Sequence, residues 1–175
     1  FADALRAALG NEQSAPFASS EHLYASLKSL LFGDNDSLRR ITASPQISCD
    51  EAKAIGRKVL NFHDATWIAV RYAVMAVALR CKFEENIILA GRLLDTADAT
   101  LHECSPHDVV WGTGLSEAEM RKHPSRAYKG SNLLGKALAD TRAALRFTNA
   151  RVAAFRADCL LKGFDEKRIA AALVN

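Results

Sequence analysis

Hydrophobic residues recur at three- and four-residue intervals along most of the chain, which is the period of one buried face of an α-helix. The longest such run follows Asp64 and consists of Trp67, Val70, Val74, Val77 and Cys81. In a second run, after Gly135, apolar side chains stand seven residues apart at Leu138, Leu145, Val152 and Cys159. The pattern predicts two long helices, the second reaching towards Lys162 and stopping at Gly163.

Capping residues indicate further helix starts. Ser19 or Ser20 can cap a helix that runs to about Phe32 and ends at Gly33-Asp34. Asp165 can cap a short final helix. Two pairs have the spacing of a capping box, a serine followed three residues later by a glutamate, at Ser48 with Glu51 and at Ser116 with Glu119. The first of these boxes predicts a helix through about Val59.

Extended segments are few. Brief strands are expected only at residues 100–102 and 108–111. We therefore predict a mainly α fold, α+β with minor short strands, as a single domain over residues 1–175. No internal repeat, low-complexity run or linker divides the chain.

The amino-acid composition of the chain limits the classes of protein to which it can belong. The 175 residues are 49% hydrophobic and 25% charged, which suits a globular domain with an adequate core. A formal net charge of +3 is too small to indicate nucleic-acid binding by field alone, but it does not oppose a phosphate-bearing ligand. No apolar run reaches the length of a membrane span. Four cysteines lack paired spacing, which favours reduced thiols and a cytoplasmic setting, at Cys49, Cys81, Cys104 and Cys159.

The segment from His102 to Gly114 is the strongest candidate for a site. Glu103 and Asp108 can act in acid–base work or anchor a ligand, and Trp111 offers a flat apolar face. Gly112 and Gly114 would let the backbone approach a ligand closely. A surface loop with a buried tryptophan is the alternative interpretation.

A second candidate lies on the first predicted helix. Glu21 and Lys28 are seven residues apart, which places them within about 20° of each other around the helix axis, with Tyr24 between them. A carboxylate, a phenol and an amine then point the same way. A solvated helix face is the alternative.

The histidines do not indicate a metal site, because no pair has the i, i+4 spacing of a helical zinc site with a third ligand to match. They are His22, His63, His102, His107 and His123. No Walker-type motif is present either, so we expect no metal and no cofactor.

Six motifs in order resemble the NADAR (YbiA-like) family of N-glycosidases and ADP-ribosyl-nucleobase hydrolases, from about residue 17 to about residue 142. They are Ser20-Glu21-His22 with Tyr24 and Lys28; Gly56-Arg57-x-Val59 with Phe62, Trp67, Arg71, Met75 and Leu79; Lys82-Phe83-x-x-Asn86; Leu93-Leu94-x-Thr96-x-Asp98; Ser105-Pro106-x-Asp108-x-x-Trp111-Gly112-x-Gly114; and Gly130-x-Asn132-x-Leu134-Gly135 with Arg142. Ala97 stands where the family usually has glycine, and Tyr128 where it usually has tryptophan. The start, Phe1 to Leu5, departs from the family's Phe-Ser-Asn-Phe strand, and residues 143–175 form a helical extension.

The resemblance implies a hydrolase that cleaves N-glycosyl bonds. It makes Glu21, Lys28, Glu103 and Asp108 the candidate catalytic residues, with Lys28 either attacking the ribose or holding phosphate. The candidate substrate-binding residues are Tyr24, Arg57, Trp67, Arg71, Lys82, Trp111, Gly112, Gly114 and Asn132. Asn132 has an equal alternative role as a cap of the closing helix.

Two substrate classes follow from the resemblance. One is ADP-ribosylated guanine in DNA or RNA, from which ADP-ribose would be removed; the other is a ribosylaminopyrimidine phosphate of riboflavin synthesis. Two non-enzymatic alternatives are a binder of ADP-ribose that has lost turnover and a helical adaptor. An adaptor would expose a large apolar stripe on the long C-terminal helix.

Overall fold

A computed structural model describes residues 17–43, 47–122, 127–163 and 165–168. The departure at Phe1 to Leu5 and His123 lie outside the described residues. Within them the chain forms helices and no strand. The helices are α1 (Ser20–Leu31), α2 (Asn35–Thr42), α3 (Cys49–Arg57), α4 (Asp64–Glu84), α5 (Ile87–Asp95), α6 (Glu117–Lys122) and α7 (Leu133–Leu161).

The helix starts confirm the predicted caps. Ser19 caps α1, where its Oγ accepts a hydrogen bond from the His22 N–H at 3.3 Å. Gly33 follows with a φ of +68°, a conformation that glycine adopts without steric cost, and so ends the helix. Reciprocal capping boxes open α3, at Ser48 with Glu51, and α6, at Ser116 with Glu119. Asp165 accepts a hydrogen bond from the Arg168 N–H at 2.8 Å, as expected of a cap.

Helix α1 lies at the centre of the fold and contacts α2, α3 and α4. One of its sides packs Leu23 and Leu27 against Ala78 of α4. The other packs Ala25 against α2 and α3, where it meets Ile41, Ala52 and Ile55. Helix α4 also packs against α7, and α5 packs against both. Because α1 is covered on two sides, the face left between α3 and α4 is free to line a site.

The buried face of α4 differs from the predicted one. Trp67 is buried as expected, but Val70, Val74, Val77 and Cys81 are only half-buried. The most buried positions after Trp67 are Met75, Ala78 and Leu79. The prediction of a single buried stripe is wrong because α4 lies between α1 and α7 and is covered on both sides.

Helix α7 confirms the predicted long helix, but only its first half is buried. Leu145 is 8% exposed, whereas Val152, one heptad later, is 39% exposed. Beyond Leu145 the exposed apolar side chains are Phe147, Val152, Phe155, Leu160 and Leu161. The predicted apolar face therefore continues past the part of α7 that the other described helices cover.

The strands expected at residues 100–102 and 108–111 do not appear in the described part of the chain. The backbone of this region pairs across irregular turns instead of in a ladder. The Thr113 N–H, for example, donates to the Glu103 carbonyl at 2.8 Å, and the Ser131 N–H donates to the Val109 carbonyl at 2.8 Å. None of the described helices is long and apolar enough to cross a membrane.

Candidate active site

A cavity of about 670 Å³ opens between α1, α3, α4 and the segment of residues 101–116, which we call the site loop. This volume lies in the range of small-molecule sites. The cavity is lined by Glu21, Tyr24, Ala25 and Lys28 of α1, Lys53, Gly56 and Arg57 of α3, Trp67, Arg71 and Met75 of α4, Glu103, Ser105, His107, Asp108, Val110 and Trp111 of the site loop, and Leu134 of α7.

The stripe predicted on α1 forms one wall of this cavity. Glu21, Tyr24 and Lys28 are all half-buried and all line the cavity. The structure therefore brings together the carboxylate, the phenol and the amine that the spacing placed on one face.

Glu21 sits in a partly dehydrated position. Burial raises the pKa of its carboxyl group above the ordinary value, and the nearby positive charges of Lys53 and Arg57 act against that rise. The carboxylate accepts no hydrogen bond from the described residues. Glu21 is therefore a carboxyl group that is free to exchange protons with a ligand.

Tyr24 stands between the two tryptophans of the cavity. Its ring centroid lies 5.2 Å from that of Trp67 and 5.6 Å from that of Trp111, to which it is nearly perpendicular at 89°. Burial raises the pKa of the Tyr24 phenol far above its usual value. The phenol therefore remains protonated and can donate a hydrogen bond.

The Lys28 side chain crosses towards α3 and the start of α4. Its Nζ donates to the Gly56 carbonyl at 2.8 Å. The same atom lies 4.2 Å from the ring centroid of Phe62 and 5.1 Å from that of Trp67. Burial lowers the pKa of the Lys28 amine. A lowered pKa increases the neutral fraction, which is the form that can act as a nucleophile.

Asp108 has a double role in the site loop. Its Oδ1 accepts hydrogen bonds from the Val110 N–H at 2.9 Å and the Trp111 N–H at 2.7 Å, which folds residues 108–111 into a turn. Its Oδ2 accepts none from the described residues. Asp108 thus holds Trp111 at the cavity and keeps one oxygen available to a ligand.

The site loop is held by the beginning of α7. The N–H groups of Leu133 and Leu134 donate to the carbonyls of Val110 and Trp111 at 3.2 and 3.0 Å. The first N–H groups of a helix have no partner within the helix, so the loop supplies the partners that α7 needs. The start of α7 therefore holds the site loop in place, and its Leu134 also lines the cavity.

Asn132 lies outside the cavity lining and is 3% exposed. Its Oδ1 accepts from the Glu103 N–H at 3.0 Å, and its Nδ2 donates to the Leu101 carbonyl at 2.9 Å. It makes no side-chain cap of α7. Asn132 is the N-cap residue of α7, as one of its two predicted roles requires, but both ends of its side-chain amide are bonded to the backbone of the site loop.

Gly112, Gly114 and Lys82 also lie outside the lining. A Cβ on Gly112 would stand 2.7 Å from the Asp108 carbonyl oxygen, and one on Gly114 would stand 2.9 Å from the Lys129 Cβ. The two glycines thus permit close contact between chain segments. Lys82 is exposed, with its Nζ 5.6 Å from the centroid of the neighbouring Phe83 ring.

Lys53 is the most informative lining residue that the sequence analysis missed. It stands four residues before Arg57 on α3. Residues four apart share a helix face, as residues seven apart do, so the spacing places these two cations on one face. Lys53, Arg57 and Arg71 form no ion pair with the described residues. The cavity therefore carries positive charge that is available to an anionic ligand. Ser105 and His107 were also missed, and no periodic signal marks them.

The described residues contain no group of three or more His, Cys, Asp or Glu arranged to hold a metal ion. His22 is buried, with its ring nitrogens 2.6 Å from Ser19 Oγ and 2.7 Å from the Ile47 carbonyl oxygen. His63 caps α4, and His102 bonds to the Tyr128 hydroxyl at 2.6 Å. Of the histidines in the described part of the chain, only His107 lines the cavity.

Comparison with known proteins shows which family and which relatives the chain resembles. The family model described as NADAR domain matches residues 4–146. The chain is 35% identical over 130 residues to N-glycosidase R617 of Acanthamoeba polyphaga mimivirus, covering 74% of this chain and 75% of that protein. It is 34% identical over 128 residues to the chloroplastic riboflavin biosynthesis protein PYRR of Zea mays, covering 70% of this chain but 19% of that protein. The NMR structure of the Escherichia coli protein YbiA superposes with a TM-score of 0.59 at 30% identity, over 75% of this chain and 68% of that chain.

Proposed function

This chain belongs to the NADAR family, and we propose that it is a hydrolase that cleaves the N-glycosidic bond of an N-ribosylated base. The observation that carries the proposal is the α1 wall of the cavity. It presents a carboxyl group whose pKa is raised and an amine whose pKa is lowered, both by burial. Such opposed shifts are what acid–base and nucleophilic catalysis near neutral pH require.

Cleavage of the bond between ribose and base builds positive charge on the sugar ring. In the reaction we propose, the neutral Lys28 amine attacks the anomeric carbon as the bond to the base breaks. The base leaves with the bonding electron pair and takes up a proton, for which Glu21 is the donor. One proton of the attacking nitrogen returns to the Glu21 carboxylate. The other passes to the ring oxygen as the sugar ring opens, which converts the adduct to an imine, and water then hydrolyses the imine to release the sugar and restore the amine.

The site loop supplies the remaining groups in this proposal. Asp108 and Glu103 both line the cavity, and their carboxylates can stabilise the positive charge or orient water. Trp111 offers an indole on which a base can stack, with Tyr24 as a hydrogen-bond donor beside it. Trp67 is 8% exposed, so only an edge of it is available to a ligand.

We propose ADP-ribosylated guanine in nucleic acid as the substrate class, with ADP-ribose as the released group. Two features support it: the cations Lys53, Arg57 and Arg71, which suit a pyrophosphate, and the room and aromatic lining that a nucleotide needs. Arg57 and Arg71 are among the substrate-binding residues that the sequence predicts. We add Lys53 to them because it lines the same cavity.

A second candidate substrate is a ribosylaminopyrimidine phosphate of riboflavin synthesis. The observation that favours it is the match to the maize protein, whose name refers to that pathway. Such a substrate has one phosphate, so it would engage fewer of the three cations.

Product analysis by mass spectrometry distinguishes these substrates. The purified protein is offered an ADP-ribosylated guanine oligonucleotide and a ribosylaminopyrimidine phosphate separately, without nucleotide or redox cofactor. We expect free ADP-ribose and unmodified guanine from the first. If both substrates stay intact over hours while ADP-ribose binds tightly, the protein is a binder and the proposal is wrong.

A further inference from the structure

Phe62 touches a cavity residue although it does not line the cavity. It lies in the segment that joins α3 to α4 and is 42% exposed. Its ring centroid is 4.2 Å from Lys28 Nζ, closer than that of Trp67 at 5.1 Å. With the Gly56 carbonyl at 2.8 Å, these groups hold the ammonium on three sides.

The fold builds each part of this arrangement separately. Gly56 is in the last turn of α3, where carbonyl groups lack partners within the helix and carry the negative end of its dipole. A Cβ on Gly56 would lie 3.2 Å from the Ala25 Cβ, so α3 meets α1 at this residue. The glycine thereby brings an unpaired carbonyl within reach of Lys28.

Phe62 is held from the other side. Its ring packs against Phe32, the residue that ends α1, with the centroids 5.2 Å apart at 60°. The segment that carries it is anchored by the Leu60 N–H, which donates to the buried Asp34 carboxylate at 2.8 Å. These two contacts fix the position of a phenylalanine that is itself largely exposed.

We propose that Phe62 is a positioning residue for Lys28, whose ring fixes the amine at the cavity wall and favours its charged form. This proposal rests on the proposed function only for the statement that Lys28 acts on substrate. Whether Phe62 holds the amine can be tested without measuring turnover. The cation is attracted to the face of the ring and to the Gly56 carbonyl, while burial opposes its charge. Phe62 thus limits how far burial can lower the pKa of the amine.

Other titratable and charged groups face the same cavity but none forms an ion pair with Lys28 in the described part of the chain. They are Glu21 and Tyr24 on α1, Lys53 and Arg57 on α3, Arg71 on α4, and Glu103, His107 and Asp108 on the site loop. Phe62 makes no ring contact or cation–π contact with any of these groups in the described part of the chain.

NMR titration of the Lys28 side chain tests the proposal, with the resonance assigned by its loss in Lys28→Arg. In Phe62→Leu we expect the titration midpoint to fall by about half to one pH unit, because the ring no longer stabilises the cation. Phe62→Tyr keeps an aromatic face and should titrate within about 0.2 units of the wild type, a small fraction of a typical cation–π contribution. Phe147→Leu, at an exposed phenylalanine on α7, is the matched control and should cause no shift.

An unchanged midpoint in Phe62→Leu, or an equal fall in Phe62→Leu and Phe62→Tyr, would overturn the proposal. The pH profile of kcat/KM adds a second readout, since its Lys28-dependent limb should move to lower pH in Phe62→Leu only. If the wild type hydrolyses no N-ribosylated base, the proposed function fails, and the titration still decides whether Phe62 holds the amine.

Discussion

The two walls of the cavity differ in what their side chains do. On the α1 wall, the Glu21 carboxylate accepts no hydrogen bond from the described residues, and Lys28 bonds to a single carbonyl. On the site-loop wall, Asp108 holds two backbone N–H groups, and the loop itself depends on Asn132. The side chains of the α1 wall are thus available for chemistry, whereas those of the site-loop wall also hold the fold. We therefore expect substitutions on α1 to change turnover with little effect on stability. Substitutions around the loop should change both turnover and stability.

The largest effect is expected at Lys28. In Lys28→Arg the charge remains, but a guanidinium stays protonated and cannot attack the sugar, so kcat should fall at least about 1000-fold. Borohydride added during turnover should trap a covalent adduct on Lys28 in the wild type. If Lys28→Arg keeps most of the rate and no adduct forms, Lys28 holds phosphate instead.

Glu21→Gln should lower kcat at least about 100-fold with little change in ligand affinity, because it removes the exchangeable proton and keeps the shape. Burial raises the pKa of Glu21 in the folded protein, so ionisation of this group costs stability once pH rises above the unfolded value near 4.5. The Tm at neutral pH should therefore stay unchanged or rise. Glu85→Gln, at an exposed glutamate beyond α4, is the control. A near-normal kcat in Glu21→Gln would remove α1 from the chemistry.

Asn132→Ala probes the other wall. It leaves the Glu103 N–H and the Leu101 carbonyl without partners and puts alanine at a φ of +48°, so the free energy of unfolding should fall by about 2–3 kcal/mol. Asn86→Ala, which removes an exposed cap of α5, should cost only about 1 kcal/mol. Equal losses in the two variants, measured by denaturant titration, would mean that Asn132 does not hold the loop.

Trp111→Ala should weaken ligand binding by about 1–3 kcal/mol if a base stacks on the indole. Isothermal titration with ADP-ribosylated guanosine measures this, in the slow Glu21→Gln background with and without Trp111→Ala and below the melting temperature of both proteins. A variant that melts much earlier but binds normally when folded would place Trp111 in the core instead.

The smallest effect is expected at Ala97, which has a φ of +47° where the family usually has glycine. Alanine is strained there, so Ala97→Gly should raise the free energy of unfolding by about 0.5–1 kcal/mol. Ala99→Gly, two residues on at ordinary φ, should lower it. A loss of stability in Ala97→Gly would show that the neighbouring Arg146 contacts already offset the strain.

The sequence was a good guide to the α1 wall because spacing along one helix fixes which side chains share a face. The caps at Ser19, Ser48 and Ser116 were equally predictable, since each depends on residues three apart. Lys53 and Arg57 show the limit of this rule. Their spacing on α3 predicts that they share a helix face, but only the fold shows that this face lines the cavity.

The site loop could not be predicted in this way. Asn132 bonds to residues about thirty positions earlier, and no local pattern reveals such a partner. The chain segments that approach Gly112 and Gly114 are likewise set by the fold, so the sequence alone does not reveal them. The exposed half of α7 has the same origin, since a heptad pattern shows that a face is apolar but not whether another helix covers it. An exposed apolar stripe on this helix is the feature that we predicted for a helical adaptor. The cavity can be explained without an adaptor role.

The structure of Glu21→Gln bound to an intact ADP-ribosylated guanosine shows whether α1 is the catalytic wall of the cavity. It should show the ribose against α1, with the anomeric carbon facing Lys28 Nζ, the guanine on Trp111 and the pyrophosphate among Lys53, Arg57 and Arg71. A ligand bound outside the cavity, or one whose anomeric carbon faces away from α1, would show that Glu21 and Lys28 do not act on the glycosidic bond.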